Sequence, residues 1–416
     1  MTGRERCVLA YSGGLDTSVA IHWLRERGYD VVALTADLGE AKDVDAIATR
    51  ALHTGAIAAH VVDARRVFID EFCHPTLAAG ALYQGVYPLA TALARPLIAR
   101  LLVDTARQEG ATAVAHGCTG KGNDQVRFDV AVGALAPEMQ VIAPVRDWHM
   151  GRPQELEYAA EHGIEVPVTR ESPYSVDANL WGRSVECGVL EDPWEEPPAD
   201  VYEWTVAANG ETSAQDIEIA FEHGRPVSLD GAVLQPEVLV EQLNAIAGSR
   251  GVGRIDLVED RLVGIKSREV YEAPAAVTLH AAHAALESLT LPRDVAAFKR
   301  VVADEWARLV YDGLWYGALR TALDEFVRAT QRHVSGQVRV RLATGRASVV
   351  GRRSTESLYR HELATYDRTS DAFDHASARG FIELFGLPLR TQTRVQGALE
   401  DAEPLGVSRH TRRRDG

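Results

Sequence analysis

Residues 7–18 read Cys-Val-Leu-Ala-Tyr-Ser-Gly-Gly-Leu-Asp-Thr-Ser, an apolar run followed by two glycines and a polar start to an amphipathic stretch. The apolar run predicts a buried strand over Cys7–Tyr11. The amphipathic stretch predicts a helix over Thr17–Arg27, which Gly28 closes. A strand that passes through a tight glycine turn directly into a helix is typical of the first half of a βαβ unit.

The turn between this strand and helix, residues 10–18, carries groups suited to phosphate and is called the phosphate loop below. Two adjacent glycines let the backbone adopt positive φ and approach a ligand closely. Ser12, Thr17 and Ser18 add hydroxyls beside the free N–H groups of a helix N-terminus. Asp16 adds a carboxylate that could hold Mg²⁺ or cap the helix. The string matches neither GxGxxG nor GxxxxGK[ST], so it favours neither a Rossmann nor a Walker site, and a plain capped turn is the competing interpretation.

The strand–helix alternation continues to about Pro167 and predicts a doubly wound α/β fold with a parallel sheet covered on both faces. Beyond it the pattern becomes α+β, with a predicted hairpin, long helices and a strand in which apolar and polar residues alternate. The predicted strands are Val31–Ala36, Ala59–Asp63, Ala113–His116, Val141–Val145, Ile217–Phe221, Pro226–Ser228 and Val338–Leu342. The predicted helices are Val44–His53, Leu97–Glu109, Pro236–Ala247, Ala275–Leu289, Arg293–Tyr311 and Gly317–His333.

Composition excludes several classes of protein. The chain has 416 residues, with 44 Lys and Arg against 59 Asp and Glu, for a net charge of −15. This acidic balance argues against a general nucleic-acid binder. The 4 cysteines form no CxxC pair, which argues against a zinc ligand set or a disulfide framework. The sequence shows no apolar signal region and no long apolar run, so we expect a cytoplasmic protein without a membrane partner.

A second glycine-rich loop covers His116–Phe128. Its glycines predict a strongly bent backbone, from which Asp124 and Arg127 project with other polar groups. Burying such groups is costly unless they meet a ligand or each other. Arginine suits a carboxylate and aspartate suits an ammonium, so the loop favours a zwitterion such as an amino acid. A solvated surface loop is the alternative.

The first loop resembles the pyrophosphate-binding loop of N-type ATP pyrophosphatases. Over roughly residues 7–385 the whole chain resembles the argininosuccinate synthase family. The resemblance rests on seven strings in the order of the family: AYSGGLDTS (10–18), YPLATALARP (87–96), HGCTGKGNDQVRF (116–128), SPYSVDANLWGRS (172–184), LEDPW (190–194), GVGRIDLVEDRLVGIKSREVYEAPA (251–275) and GRRSTESLYRHELATYD (351–367).

The resemblance implies a ligase of arginine biosynthesis that joins citrulline to aspartate. ATP would be consumed through a citrulline adenylate, releasing AMP and pyrophosphate, with Mg²⁺ carried by ATP rather than by a protein metal site. It further implies a homotetramer and three segments: an ATP-binding domain of the N-type ATP pyrophosphatase kind at 1–168, an α+β synthetase domain at 169–387, and a C-terminal tail at 388–416.

The resemblance also implies roles for particular residues. Those that would bind ATP are Ala10, Tyr11, Ser12, Gly13, Gly14, Leu15, Asp16, Thr17, Ser18, Ala36 and Gly117. Those that would bind aspartate are Thr119, Asn123 and Asp124. Those that would bind citrulline are Tyr87, Asn123, Arg127, Ser175, Ser184, Glu259 and Tyr271. Asp16, Asp124 and Arg127 would be the catalytic residues.

Two positions depart from the family pattern. The family commonly has Thr-Ser where this chain has Thr91-Ala92, and Gly-Gln where it has Gly39-Glu40. These departures motivate an alternative ligase that joins aspartate to another ureido or carboxyl acceptor. Two further alternatives are a tRNA-modifying protein that shares the phosphate loop and an inactive regulator. The absence of an RNA module argues against the former, and Asp16, Asp124 and Arg127 argue against the latter.

Overall fold

The computed structural model describes residues 4–40, 43–166, 174–207, 214–367 and 371–397. The chain forms two compact units, Met1–Leu358 and Tyr359–Gly416. Within the described ranges, no helix has the length and apolar character needed to cross a bilayer.

The first half of the larger unit is built on a parallel sheet. Among the described residues it has five strands in the order β3-β2-β1-β4-β5. Alternate residues of the central strand face opposite sides: Val8 packs in one apolar cluster, Cys7 and Leu9 in another. Helices therefore cover both faces, which confirms the predicted doubly wound α/β fold. The strands are β1 Glu5–Ala10, β2 Tyr29–Asp37, β3 Ala58–Asp63, β4 Ala113–Ala115 and β5 Gln140–Ile142.

The three helices predicted in this half, at Thr17–Arg27, Val44–His53 and Leu97–Glu109, are present, and the others were not predicted. The helices of this half are α1 Leu15–Glu26, α2 Val44–Thr54, α3 Arg65–Val67, which continues as a π-helix over Phe68–Cys73, α4 His74–Ala79, α5 Ala90–Glu109, α6 Asn123–Leu135, α7 Pro144–Asp147 and α8 Arg152–Glu161.

Two predicted boundaries in this half were wrong, both at prolines. The helix predicted to begin at Leu97 begins at Ala90 and contains Pro96. Burial of the first turns, including Leu93 at 0% exposure, outweighs the cost of a proline inside a helix. The strand predicted over Val141–Val145 ends at Ile142, because Pro144 starts α7.

The second half contains two antiparallel sheets. In the described ranges one has the order β10-β9-β8-β13-β14 and the other β11-β12-β7-β6. The predicted hairpin is confirmed, and the last two strands pair antiparallel. The strands are β6 Ser175–Asn179, β7 Gly182–Glu186, β8 Gln215–Glu222, β9 Arg225–Leu229, β10 Ala232–Val233, β11 Arg254–Asp260, β12 Lys266–Glu272, β13 Gly336–Ala343 and β14 Arg346–Arg353.

The two halves of this unit share a core. Phe72 of the first half stacks on Trp315 of the second, with ring centroids 4.6 Å apart. Trp315 also meets Trp306 edge to face. This shared packing fixes the sheets relative to each other. The helices of the second half are α9 Pro236–Gly248, α10 Pro274–Thr290, α11 Arg293–Tyr311 and α12 Ala318–Thr330, with 3₁₀ turns at Gly188–Glu191, Ala199–Val201 and Gln331–His333.

The smaller unit contains α13 His361–Ala364, α14 His375–Phe385 and α15 Leu387–Gln396. The side chain of Asp374 accepts a hydrogen bond from Ala376 N and caps α14. The apolar side chains of this helix are exposed, Phe381 by 64% and Phe385 by 76%. The predicted boundary at 387/388 falls at the start of α15. The boundary at 168/169 and most of the predicted tail, 398–416, lie outside the described residues.

Candidate active site

A cavity of about 470 Å³ opens where the carboxyl ends of β1, β2 and β4 meet the sheet of β6, β7, β11 and β12. The direction of the strand order reverses between β1 and β4, and open α/β sheets bind ligands at such a point. All of the predicted aspartate and citrulline residues line the cavity. The predicted ATP residues that line it are Ala10, Tyr11, Ser12, Asp16, Thr17, Ala36 and Gly117.

The phosphate loop holds the free end of α1 toward this cavity. Gly14 is the N-cap residue, so neither Ser12 nor Asp16 occupies the cap position. Gly13 has φ +77°, and a Cβ there would lie 3.0 Å from the Ile47 side chain. The loop is braced by hydrogen bonds from Arg50 Nη1 to Gly13 O, at 2.8 Å, and between the Ser12 and Thr17 hydroxyls, at 3.2 Å. These contacts leave the first N–H groups of α1 for an anion.

The nucleotide side of the cavity is partly apolar, with Ala36 among its lining residues. Ala36 lies next to the end of β2 and Gly117 follows β4, so the two lie on either side of the loop. A Cβ at Gly117 would come within 2.9 Å of Thr17 Cγ2, which explains a glycine at this position. Glu40, one of the two departures, also lines this end. An acidic side chain therefore faces the nucleotide side of the cavity.

Asp124 lies between two guanidinium groups at the start of α6. It accepts hydrogen bonds from Arg95 Nη2 at 2.8 Å and Arg127 Nη1 at 2.9 Å. Burial alone would raise the pKa of Asp124, but the two arginines outweigh it and lower the pKa to about 2. Arg95 also pairs with Asp177. Asp124 is therefore ionised at neutral pH and aimed into the cavity.

Glu259 organises a group of aromatic hydroxyls at the other end of the cavity. Its two carboxylate oxygens accept hydrogen bonds from Tyr271 Oη and Tyr311 Oη, both at 2.6 Å. Tyr87 stacks on Tyr271 at 4.1 Å, and Tyr83 stacks on Tyr311 at 3.5 Å. Glu259 is only 3% exposed, so its carboxyl group is buried beneath these tyrosines.

The region of the other departure, Thr91-Ala92, retains a hydroxyl. Thr91 Oγ1 lies 2.8 Å from Tyr87 Oη, and Thr91 N donates to the same oxygen. Both residues line the cavity, whereas Ala92 is fully buried. Ser175 begins β6 at the cavity rim. Ser184 lies opposite Asp177 in the β6–β7 pair.

Sequence reasoning missed several cavity residues, among them Arg95, Arg261 and Tyr311. Tyr311 was predicted only as the end of a helix, yet it accepts a hydrogen bond from Asn123 Nδ2 at 2.8 Å. Its carbonyl also accepts from Arg127 Nε. Arg95 and Arg261 both stand within quoted family strings, and a charged residue one helical turn from Thr91 was the available signal for the former.

Arg261 donates hydrogen bonds to two acidic side chains on the cavity wall. Its Nη2 donates to Glu269 Oε1 at 2.7 Å and also to Glu186. Burial and the neighbouring charges of Glu186 and Glu259 raise the pKa of Glu269 to about 9, against the opposing effect of Arg261. Glu269 therefore holds a proton at neutral pH.

Because Glu269 keeps its proton, we predict that the free energy of unfolding depends on pH. Between the ordinary value of 4.5 and the folded pKa of about 9, the folded chain retains a proton on Glu269 that the unfolded chain has released. The contribution to the free energy of unfolding is thus complete below the lower value and is lost as pH rises toward the higher one. We expect Glu269→Gln, which stays neutral, to flatten this decline in urea unfolding measured from pH 5 to pH 9. An unchanged slope would contradict the assignment.

Comparison with known proteins supports the resemblance. Two family profiles match the chain, arginosuccinate synthase N-terminal HUP domain over residues 6–165 and arginosuccinate synthase C-terminal domain over residues 174–392. The argininosuccinate synthase of Oceanobacillus iheyensis is 56% identical over 396 residues, covering 95% of each chain. The chain belongs to the argininosuccinate synthase family. The same family name is carried by similar proteins of Gloeobacter violaceus, 58% identical over 94% of this chain and 99% of its own, and Symbiobacterium thermophilum, 56% identical over 94% and 98%.

Membership in the argininosuccinate synthase family confirms the family expected from the seven strings. It also agrees with the observed parallel sheet, because the N-terminal profile is that of a HUP domain. Residues 166–173 lie between the stretches that the two profiles match.

Proposed function

We propose that this chain catalyses the ATP-dependent ligation of citrulline and aspartate to argininosuccinate, with release of AMP and pyrophosphate, in arginine biosynthesis. One observation carries the proposal: a single cavity brings together a phosphate loop, an ionised carboxylate between two arginines, and a buried glutamate ringed by tyrosines. Membership in the family at 56% identity across the chain supports it.

ATP would bind along the phosphate loop. The N–H groups at the start of α1 and the Ser12 and Thr17 hydroxyls face the cavity, where they suit phosphate oxygens. Leu15 and Ser18 complete the bound loop, with Ala36 and Gly117 beside the adenosine. Asp16 offers the carboxylate oxygen that Mg²⁺ prefers, and Mg²⁺ arriving with ATP would neutralise phosphate charge.

Citrulline would lie across the aromatic end. Arg127 suits its carboxylate, since the guanidinium is held in place by Tyr311 O at 3.0 Å. The Glu259 carboxylate suits its ammonium group. The residues that would complete this site are Tyr87, Asn123, Ser175, Ser184 and Tyr271.

Aspartate would bind at the start of α6, between the other two substrates. The Asp124 carboxylate would accept a hydrogen bond from its α-amine, with Thr119 and Asn123 as further polar contacts. This arrangement places the amine near the phosphate loop and the citrulline site together.

The reaction would then proceed in two displacements. The ureido oxygen of citrulline attacks the α-phosphorus of ATP and pyrophosphate leaves, which gives citrulline a leaving group. The aspartate amine then attacks the ureido carbon and AMP departs. Asp16, Asp124 and Arg127 would act by positioning and charge stabilisation, because their cavity would hold the reacting groups in alignment.

The same proposal includes the domain limits 1–168, 169–387 and 388–416, a cytoplasmic location and a homotetramer. The exposed Phe381 and Phe385 support an assembly, since such apolar side chains usually meet a partner surface. One of the two reasons for considering an alternative acceptor was the missing hydroxyl at Ala92. Thr91 weakens that reason, because it supplies a hydroxyl beside Tyr87.

Pyrophosphate release tests the proposal. We expect release from ATP only when citrulline and aspartate are both present, with argininosuccinate formed in equal amount. Omitting either amino acid, or replacing citrulline with other ureido or carboxyl acceptors, provides the control. Release that ignores citrulline, or that proceeds with another acceptor instead, would overturn it.

A further inference from the structure

One cluster among the described residues brings three metal-ligating side chains together outside the cavity. It consists of His22 and Glu26 on α1 and His162, which follows α8. We propose that this cluster binds a divalent zinc ion. The site lies outside the cavity of the proposed reaction and connects the C-terminal ends of α1 and α8. The N-terminal ends of both helices lie at the phosphate loop, where Glu155 of α8 meets Asp16.

The spacing of the three residues favours a shared ligand. His22 and Glu26 stand four residues apart on α1 and so project from the same face. The imidazole of His162 stacks on that of His22, with ring centroids 4.3 Å apart and an interplanar angle of 30°. One ligand atom from each residue lies within 4.8 Å of the others.

Tyr158 supplies the outer contacts that metal-binding histidines usually have. Its Oη lies 2.8 Å from His22 Nδ1 and donates to Glu26 Oε2, also at 2.8 Å. Because Nδ1 is engaged, Nε2 of His22 is left for a cation. In known sites, such hydrogen bonds to the second ring nitrogen fix the orientation of the ligand.

Only small side-chain movements would complete the coordination. Ligand atoms of a tetrahedral zinc ion lie about 3.3 Å apart at ordinary bond lengths, whereas here they lie within 4.8 Å. Glu26 and His162 are exposed and can turn, provided that the stacked imidazoles separate.

The donor set selects the metal. Two imidazole nitrogens and one carboxylate oxygen suit zinc, with water in the fourth position, whereas Mg²⁺ prefers oxygen ligands alone. Bound zinc would connect α1 to α8 and stabilise the first half of the larger unit, because a ligand that binds only the folded state raises its stability.

Zinc titration of the full-length, untagged and metal-free chain tests the site. Nucleotide and amino acids are omitted, so the outcome does not depend on the proposed function. We expect one Zn²⁺ per chain, a rise in melting temperature, and visible absorption of a tetrahedral complex when Co²⁺ replaces zinc. His162→Ala and Glu26→Gln should each weaken binding at least tenfold. Tyr158→Phe should weaken it about tenfold through loss of the outer hydrogen bonds.

The matched control is His149→Ala, which removes another exposed histidine just before α8. It should bind zinc as the unaltered chain does. The proposal falls if the unaltered chain takes up no zinc, or if His162→Ala binds it as tightly as His149→Ala. Melting curves without metal show whether each variant is folded.

Discussion

Asp124→Asn should lower kcat/KM for aspartate by about a thousandfold, a cost of about 4 kcal/mol in the transition state. Asparagine keeps the shape of the side chain but removes the charge that would face the substrate ammonium. The carboxylate is held ionised, with its pKa lowered to about 2, so it is charged at any working pH. Asparagine also leaves Arg127 without its anionic partner at 2.9 Å. Steady-state formation of argininosuccinate measures the loss.

The control for this variant is Asp216→Asn. Asp216 is another arginine-paired aspartate, with contacts of 2.7 and 2.9 Å to Arg341, but it lies on β8 outside the cavity. We expect its activity to stay within twofold of the unaltered chain, since exposed ion pairs contribute little. Arg95 keeps Asp177 as a partner, so Asp124→Asn should fold. Activity above about a tenth of normal in a folded Asp124→Asn would contradict the assigned role.

Glu272→Ala should cost about 3–5 kcal/mol of unfolding free energy, the penalty for removing one partner of a buried, hydrogen-bonded ion pair. Glu272 is 0% exposed and accepts hydrogen bonds from the Arg183 side chain, at 3.0 Å, and from Thr205 N and Oγ1. It also accepts from Glu203 N and Trp204 N. Alanine would leave several backbone donors without their acceptor, and Arg183 with only the exposed Glu203, at 3.2 Å, as an ionic partner. Urea unfolding would measure the change.

Glu325→Ala serves as the comparison, because Glu325 is also paired with an arginine, Arg328, but is exposed. It should change stability by less than about 1 kcal/mol. Equal losses in the two variants would show that burial of Glu272 is not what makes its contacts important.

The parallel sheet and the phosphate loop were predictable because their signals are local. The run at Cys7–Tyr11 and the glycines after it specify strand, turn and helix within one stretch of chain. The structure places β1 at Glu5–Ala10 and α1 at Leu15–Glu26, within two residues of prediction. Such short-range patterns depend little on the rest of the fold.

The helix start at Ala90 and the β11–β12 pair were not predictable in the same way. The former depends on packing that overrides a proline, and the latter on pairing across Arg254–Asp260 and Lys266–Glu272, where polar residues mask the strand pattern. Tertiary contacts decide both.

The residues of the candidate site also fall into those with a local sequence signal and those that only tertiary contacts reveal. Individual positions such as Glu259 and Tyr271 were reached only through family strings, because each has an ordinary structural role when taken alone. Tyr311 was missed because it reaches Glu259 from 52 residues away in sequence. A contact between distant helices and strands leaves no trace in local spacing.

The side chain of Asn123 connects the start of α6 to two points much later in the chain. Its Nδ2 donates to Tyr311 Oη, and its Oδ1 accepts from Leu262 N. During translation, the phosphate loop is made first, and these two partners leave the ribosome long afterwards. A nascent or prematurely ended chain that stops short of Tyr311 lacks a wall of the cavity. Incomplete copies should therefore not carry out the ligation or spend ATP on it.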